Sequence, residues 1–143
     1  MKLEILGLDN KVYLWNPLVA ASKSPVRSKL HKKAYDLLEK FYPYDTILEE
    51  VKLPGSKDQF GKRPLRADMF LPARRILIEV HGEQHYKFNK FFFKSKLHFY
   101  RAKARDLDKR EWCHLNDIEL IVLNYNEDED EWTRKIRQVS SSD

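Results

Sequence analysis

Residues 66–71 and 75–81 form two apolar runs that carry Asp68, Glu79 and His81, with only Pro72-Ala73-Arg74 between the runs. If the segment from Pro72 to Arg75 closes a hairpin, Leu71 pairs with Ile76, Phe70 with Leu77 and Asp68 with Glu79. Directly opposed residues share a face, with Cβ atoms about 4.5–5.5 Å apart. Two carboxylates there repel each other across an otherwise apolar sheet, and a divalent cation between them offsets that cost. A hard, oxygen-ligated ion, Mg²⁺ or Mn²⁺, suits the pair. The plainer alternative turns one carboxylate to solvent or pairs it with Arg66 or Arg75. A slip of one residue in register would separate the two faces. On the metal reading Glu79 has no structural task, so removing either carboxylate is expected to leave fold stability unchanged or higher.

His81 follows Glu79 by two residues and therefore shares its face. A histidine there can deprotonate or position a water, or contact a phosphate; it can equally be a strand-end histidine satisfied by hydrogen bonds. Zinc bound by His81 and His85 is a weaker reading, because no cysteine partners exist. Gly82 lets the backbone turn sharply after the strand.

Downstream, Lys87, Lys90, Lys94, Lys96, Arg101, Lys103, Arg105, Lys109 and Arg110 face only Asp106 and Asp108, interleaved with Phe88, Phe91, Phe92, Phe93, Phe99, Tyr100 and Trp112. Cations neutralise phosphates and aromatic rings stack on nucleotides. The competing reading makes this a solvated helix face above a core of aromatics.

The elements that must position these groups follow from the pattern. Residues 1–15 read as a small hairpin and 16–27 as a connector. Ser28 caps a helix over 29–42, with Leu30, Ala34, Leu37, Leu38 and Phe41 on one face. Residues 46–53 read as a strand, and 54–64 as a polar loop. A long helix spans 97–115, with Tyr100, Ala104, Leu107 and Leu115 as its apolar stripe. Residues 118–123 read as a strand buried on both faces, and 131–138 as a last helix. At 143 residues the chain makes one domain. No apolar run approaches the roughly 20 residues of a membrane span, and the first residues lack a signal-peptide pattern. The single cysteine, Cys113, excludes an internal disulfide and fits a reducing cytoplasm.

The runs RADMFLPARRILIEVHGEQHYKF, RAKARDLDKREWC and DIELIVLNYNE together resemble the PD-(D/E)XK nuclease superfamily. More narrowly, they are similar to small phage-encoded, very-short-patch-repair-like endonucleases, homing-type enzymes included. The resemblance covers about residues 28–126. It implies an α/β fold with a restriction-endonuclease-like core, a mixed β-sheet flanked by α-helices. It implies Asp68, Glu79 and the backbone carbonyl of Val80 as metal ligands. Asp68, Glu79, His81, His85 and Lys109 would be the catalytic set, with Asp106 supporting the site from the helix. Gln84, Lys87, Lys90, Lys94, Lys96, Arg101, Lys103 and Arg105 would contact nucleic acid. His81 stands where the superfamily has lysine, or these relatives aspartate, so the group that activates water is open between His81 and His85. The glutamate that relatives carry early in the first helix is replaced here by Ser28-Lys29-Leu30-His31, unless Glu39, Glu49 or Glu50 supplies it.

The expectation is therefore a Mg²⁺- or Mn²⁺-dependent DNA endonuclease of homing or repair type, cytoplasmic, or in the host cytoplasm if phage-encoded. Its catalytic domain spans 28–138, with 1–27 packed on the core and 139–143 a frayed tail. DNA is the expected partner and a membrane is not. A long or palindromic target would call for a homodimer. The alternative is a nucleic-acid-binding protein that kept the fold and lost the chemistry. A structural component that docks a protein on its basic face is a further rival.

Overall fold

The computed structural model describes residues 2–57, 63–83 and 95–141, with side chains up to 139. Strands β1 (Leu3–Leu6) and β2 (Val12–Trp15) form an antiparallel hairpin, as the alternation around Gly7-Leu8-Asp9-Asn10 predicts. The expected connector contains one helical turn, α1 (Pro17–Ala20). The Asn16 side chain accepts from the Leu18 amide, and Pro17 presets the first helical φ.

Helix α2 (Lys29–Phe41) starts at Ser28, whose hydroxyl accepts from the His31 amide, a cap worth about 1 kcal/mol. Strands β3 (Leu48–Lys52), β4 (Arg66–Leu71) and β5 (Ile76–His81) follow. Helix α3 (Lys96–Leu115) then crosses to β6 (Glu119–Asn124), and α4 (Glu129–Ser141) closes the chain. The sheet order is β3-β4-β5-β6, with the first two pairings antiparallel and β5–β6 parallel. A mixed sheet follows from the connections: three residues suffice for a hairpin, whereas a parallel return needs a long crossover.

Helices α2 and α4 cover one face of the sheet. Ala34, Leu37, Leu38, Trp132 and Ile136 pack there on Met69, Leu71, Ile76, Ile78, Ile121 and Leu123. On the other face, Trp112 and Cys113 of α3 join Ile5 and Trp15 of the hairpin against Phe70, Leu77, Val51 and Ala67. The hairpin is bolted to the end of α3 by the Asn116 side chain, which accepts from the Leu6 amide at 2.7 Å and donates to the Leu6 carbonyl at 3.0 Å. Its turn lies so close to Gly55 (φ 68°) that a Cβ on Gly7 would meet the Gly55 Cα at 2.8 Å.

Three sequence expectations need correction. The stripe Tyr100, Leu107 and Leu115 is exposed, Tyr100 at 63% and Leu107 at 66%; α3 buries Trp112 and Cys113 instead, through its last turns. Strand β6 has β5 as its pairing partner among the described residues, and Leu120 and Val122 are half-buried rather than buried on both faces. Helix α4 runs to Ser141, with Val139 packed against the core, where a frayed tail from 139 was expected.

Candidate functional site

The hairpin register is the one a turn over Pro72 to Arg75 implies: Leu71 opposite Ile76, Phe70 opposite Leu77 and Met69 opposite Ile78. One step further the backbone ladder gives way to side chains. The Glu79 Oε2 accepts from the Asp68 amide at 2.9 Å, and the Asp68 Oδ2 accepts from the Val80 amide at 2.8 Å. Two carboxylates thus occupy the place of main-chain bonds where β4 and β5 part. The β3–β4 ladder also lapses at this level, between the Glu49–Met69 and Val51–Ala67 pairs, and Glu50 there has φ 48°. A non-glycine residue in that region stores strain that the surrounding structure must hold.

Helix α3 closes the site from above. Lys109 precedes the buried Trp112 and Cys113 by one turn, and Asp106 lies one turn earlier on the same stripe. The Lys109 ammonium reaches the Glu79 Oε1 at 2.5 Å, with side chains 16% and 4% exposed. The His81 Nε2, at the end of β5, lies 4.0 Å from the Asp106 Oδ1. Among the described residues, Glu79, His81 and Asp106 are the three metal-ligating side chains whose donor atoms all fall within 4.8 Å of one another. Asp68 adjoins this group through the Glu79 carboxylate. A cleft of about 250 Å³ opens at His81 and Asp106, lined also by Lys103, Leu107, Arg110 and Val122.

The electrostatics follow from burial. Desolvation first, and the Asp68 charge second, push the Glu79 carboxyl up to about 8 against the pull of Lys109. Burial works against the Lys109 ammonium, but Glu79, Asp68 and Asp106 outweigh it and raise its pKa. Burial also pushes the Cys113 thiol up to about 12, so it is no nucleophile near neutral pH.

The structure thus brings Asp68, Glu79, His81, Asp106 and Lys109 together. Val80 contributes its amide to Asp68, and Lys96, Arg101, Lys103 and Arg105 lie along the first half of α3. Gln84, His85, Lys87, Lys90 and Lys94 lie outside the described residues. Glu79 does have a structural task, contrary to the sequence reading: its carboxyl accepts the hydrogen bond of a buried lysine 30 residues away. Glu49 does not stand in for the absent helix acid at this cluster. It lies opposite Met69, on the α2 face, where Arg27 grips it at 2.7 Å through both Nε and Nη2 and the His31 Nε2 sits 3.0 Å away. Burial opposes the Glu49 charge, yet Arg27 and His31 hold its pKa below the usual range. The one sequence signal for this trio was a buried-strand carboxylate together with a histidine in the first turn of α2.

No protein-family model matches the chain, and no solved structure matches it. It is similar to two iridescent virus proteins. One is uncharacterized protein 033L of Invertebrate iridescent virus 3, 35% identical over 80 residues, covering 52% of this chain and 41% of the relative. The other is uncharacterized protein 307L of Invertebrate iridescent virus 6, 35% identical over 75 residues, covering 52% of this chain and 38% of the relative. The chain spans about two-fifths of the length of these curated relatives. Among the described residues, no helix is long and apolar enough to cross a membrane.

Proposed function

We propose that the chain is a metal-dependent endonuclease that hydrolyses phosphodiester bonds in DNA, built on a restriction-endonuclease-like core. The observation that carries this reading is the convergence of Glu79, His81 and Asp106 within 4.8 Å at the end of β5, beside Asp68 and Lys109. A mixed sheet flanked by helices is the architecture the sequence resemblance implies, and a helix rich in cations lies over the cluster. The donor set fits a divalent ion: two carboxylates supply hard oxygens, and the imidazole nitrogen favours Mn²⁺ over Mg²⁺. When bound, such an ion polarises a phosphoryl oxygen and lowers the pKa of its water.

The chain's own residues supply the rest. Glu79 and Asp106 would hold the ion, and Asp68 fixes the Glu79 carboxylate through its amide. His81, buried at the end of β5 and lining the cleft, would be the third ligand; taking a proton from water or contacting the phosphate is open to it only where the carboxylates alone hold the ion. Lys109, Lys103 and Arg110 are placed to stabilise charge developing on phosphoryl oxygens. Phosphate contacts from the outer half of α3 position the strand without reading its sequence.

The Lys109–Glu79 bond favours a second reading, a nucleic-acid-binding protein without chemistry, because an ammonium already occupies the oxygen an ion would use. Incubating the protein with plasmid DNA and Mn²⁺ or Mg²⁺ separates the two. Cleavage by the parent and its loss in Glu79→Gln, with binding retained, is the expected result. Binding without cleavage by the parent selects the second reading. Cleavage by Glu79→Gln at the parent's rate refutes the ion site.

A further inference from the structure

A second cleft, of about 620 Å³, adjoins the carboxylate cluster at Lys109. Its walls carry five cations from three parts of the fold: Lys52 of β3, Arg63 just before β4 and Arg66 at its start, and Arg105 and Lys109 of α3, the last already bonded to Glu79. Among the described residues no carboxylate lines it. Lys52 and Arg66 are direct cross-strand partners. Like charges in that position disfavour a sheet pair, and an anion bound between them would offset that. Convergent cations in a concavity focus the field, and arginine forks match phosphate oxygens two at a time.

We infer that this cleft is a phosphate-binding site, which seats a phosphate of a nucleic acid beside the one held at the carboxylate cluster. The choice of nucleic acid rests on the proposed function and on the run of cations that leads out of the cleft. From Lys96 to Lys109, α3 extends about 20 Å, the axial length of about six base pairs. The phosphate is either an internal diester or a terminal monoester of the chain.

The test runs in EDTA, so it requires neither an ion nor cleavage. Fluorescence anisotropy across a salt series compares three short duplexes: one unphosphorylated, one with a 5′-phosphate and one with a 3′-phosphate. Lys52→Ala, Arg63→Ala and Arg66→Ala should each weaken binding and reduce the slope of log Kd against log salt by about 1. Lys40→Ala, on α2 across the sheet, should change neither. Equal losses on all three duplexes assign the site to the diester backbone; losses confined to a phosphorylated duplex assign it to the chain end. Thermal melts accompany each variant, and Lys52→Ala should melt no lower than the parent, because it relieves the pair with Arg66. If a variant fails to fold, Lys52→Gln reads the same slope. Parent-like binding and slope in all three variants overturn the inference. So does displacement of the duplex by polyglutamate as effective, charge for charge, as by unlabelled duplex. A parent that never cleaves but shows these losses refutes the proposed chemistry and leaves the cleft standing.

Discussion

Cation binding at Glu79 should expel a proton. The Glu79 carboxyl titrates at about 8 in the ion-free protein because it is buried and faces Asp68. Its protonated form therefore predominates at pH 6 and gives way to the carboxylate as pH rises toward and through that value. An ion that requires the carboxylate must displace that proton. Its apparent affinity should rise about tenfold or more from pH 6 to pH 8. Lys109 keeps its own proton throughout, since its pKa is raised. Calorimetric titration with Mn²⁺ in two buffers of different ionisation enthalpy reads both quantities. Proton release per ion bound should be greatest near pH 6 and smaller at pH 8. Glu79→Gln should bind Mn²⁺ more weakly and lose this release. Equal affinities at pH 6 and pH 8, with no proton released, would refute the assignment of Glu79 as a ligand.

Stability should respond to the same pair. Glu79→Ala should destabilise the ion-free protein by about 1.5–3 kcal/mol, the worth of a hydrogen bond to a charged group. The full 3–5 kcal/mol of an uncompensated buried charge should not appear, because Asp68 and Asp106 stay near Lys109. Urea unfolding measures this, and adding Lys109→Met should recover most of the loss. Glu49 acts at the acid end: its folded pKa is lowered, so its contribution is present above about pH 4.5 and fades as pH falls through the folded value. Glu49→Gln should flatten that decline in acid unfolding while leaving Mn²⁺ affinity unchanged. Cys113, with its thiol pushed up to about 12, should resist iodoacetamide at pH 8 in the native protein and react once urea unfolds it.

The parts of this molecule legible from sequence are those governed by local periodicity. The short turn over Pro72-Ala73-Arg74 gave the hairpin register, because so brief a connection leaves little choice of which residues stand opposite. Ser28 announced α2 through the chemistry of its hydroxyl. Helix α3 resisted such a reading. It meets the sheet through Trp112 and Cys113 near one end, so the amphipathic rule, which assumes contact along a whole face, selected the exposed Tyr100 and Leu107. The apolar run in β6 suggested a strand buried on both faces, yet apolarity alone does not tell full burial from the half-burial of Leu120 and Val122. At the site, Asp68 and Glu79 were visible as opposed carboxylates. Lys109 as the structural partner of Glu79 was not, because 30 residues separate them and no short-range pattern encodes a tertiary ion pair. The trio of Arg27, His31 and Glu49 was hidden for the same reason.

The attachment of α3 makes it a lever. Its fulcrum is the end held by Trp112 in the core and by Asn116, whose side chain binds Leu6 on both amide and carbonyl. Asp106 lies about 15 Å from that fulcrum and Arg101 about 22 Å, at 1.5 Å of rise per residue. A tilt of about 5° would carry Asp106 about 1.3 Å relative to Glu79, which is fixed in the sheet, and Arg101 about 2 Å. Displacement at the outer arm would thereby be geared down onto the carboxylate spacing, against the Lys109–Glu79 bond that ties the helix to the sheet.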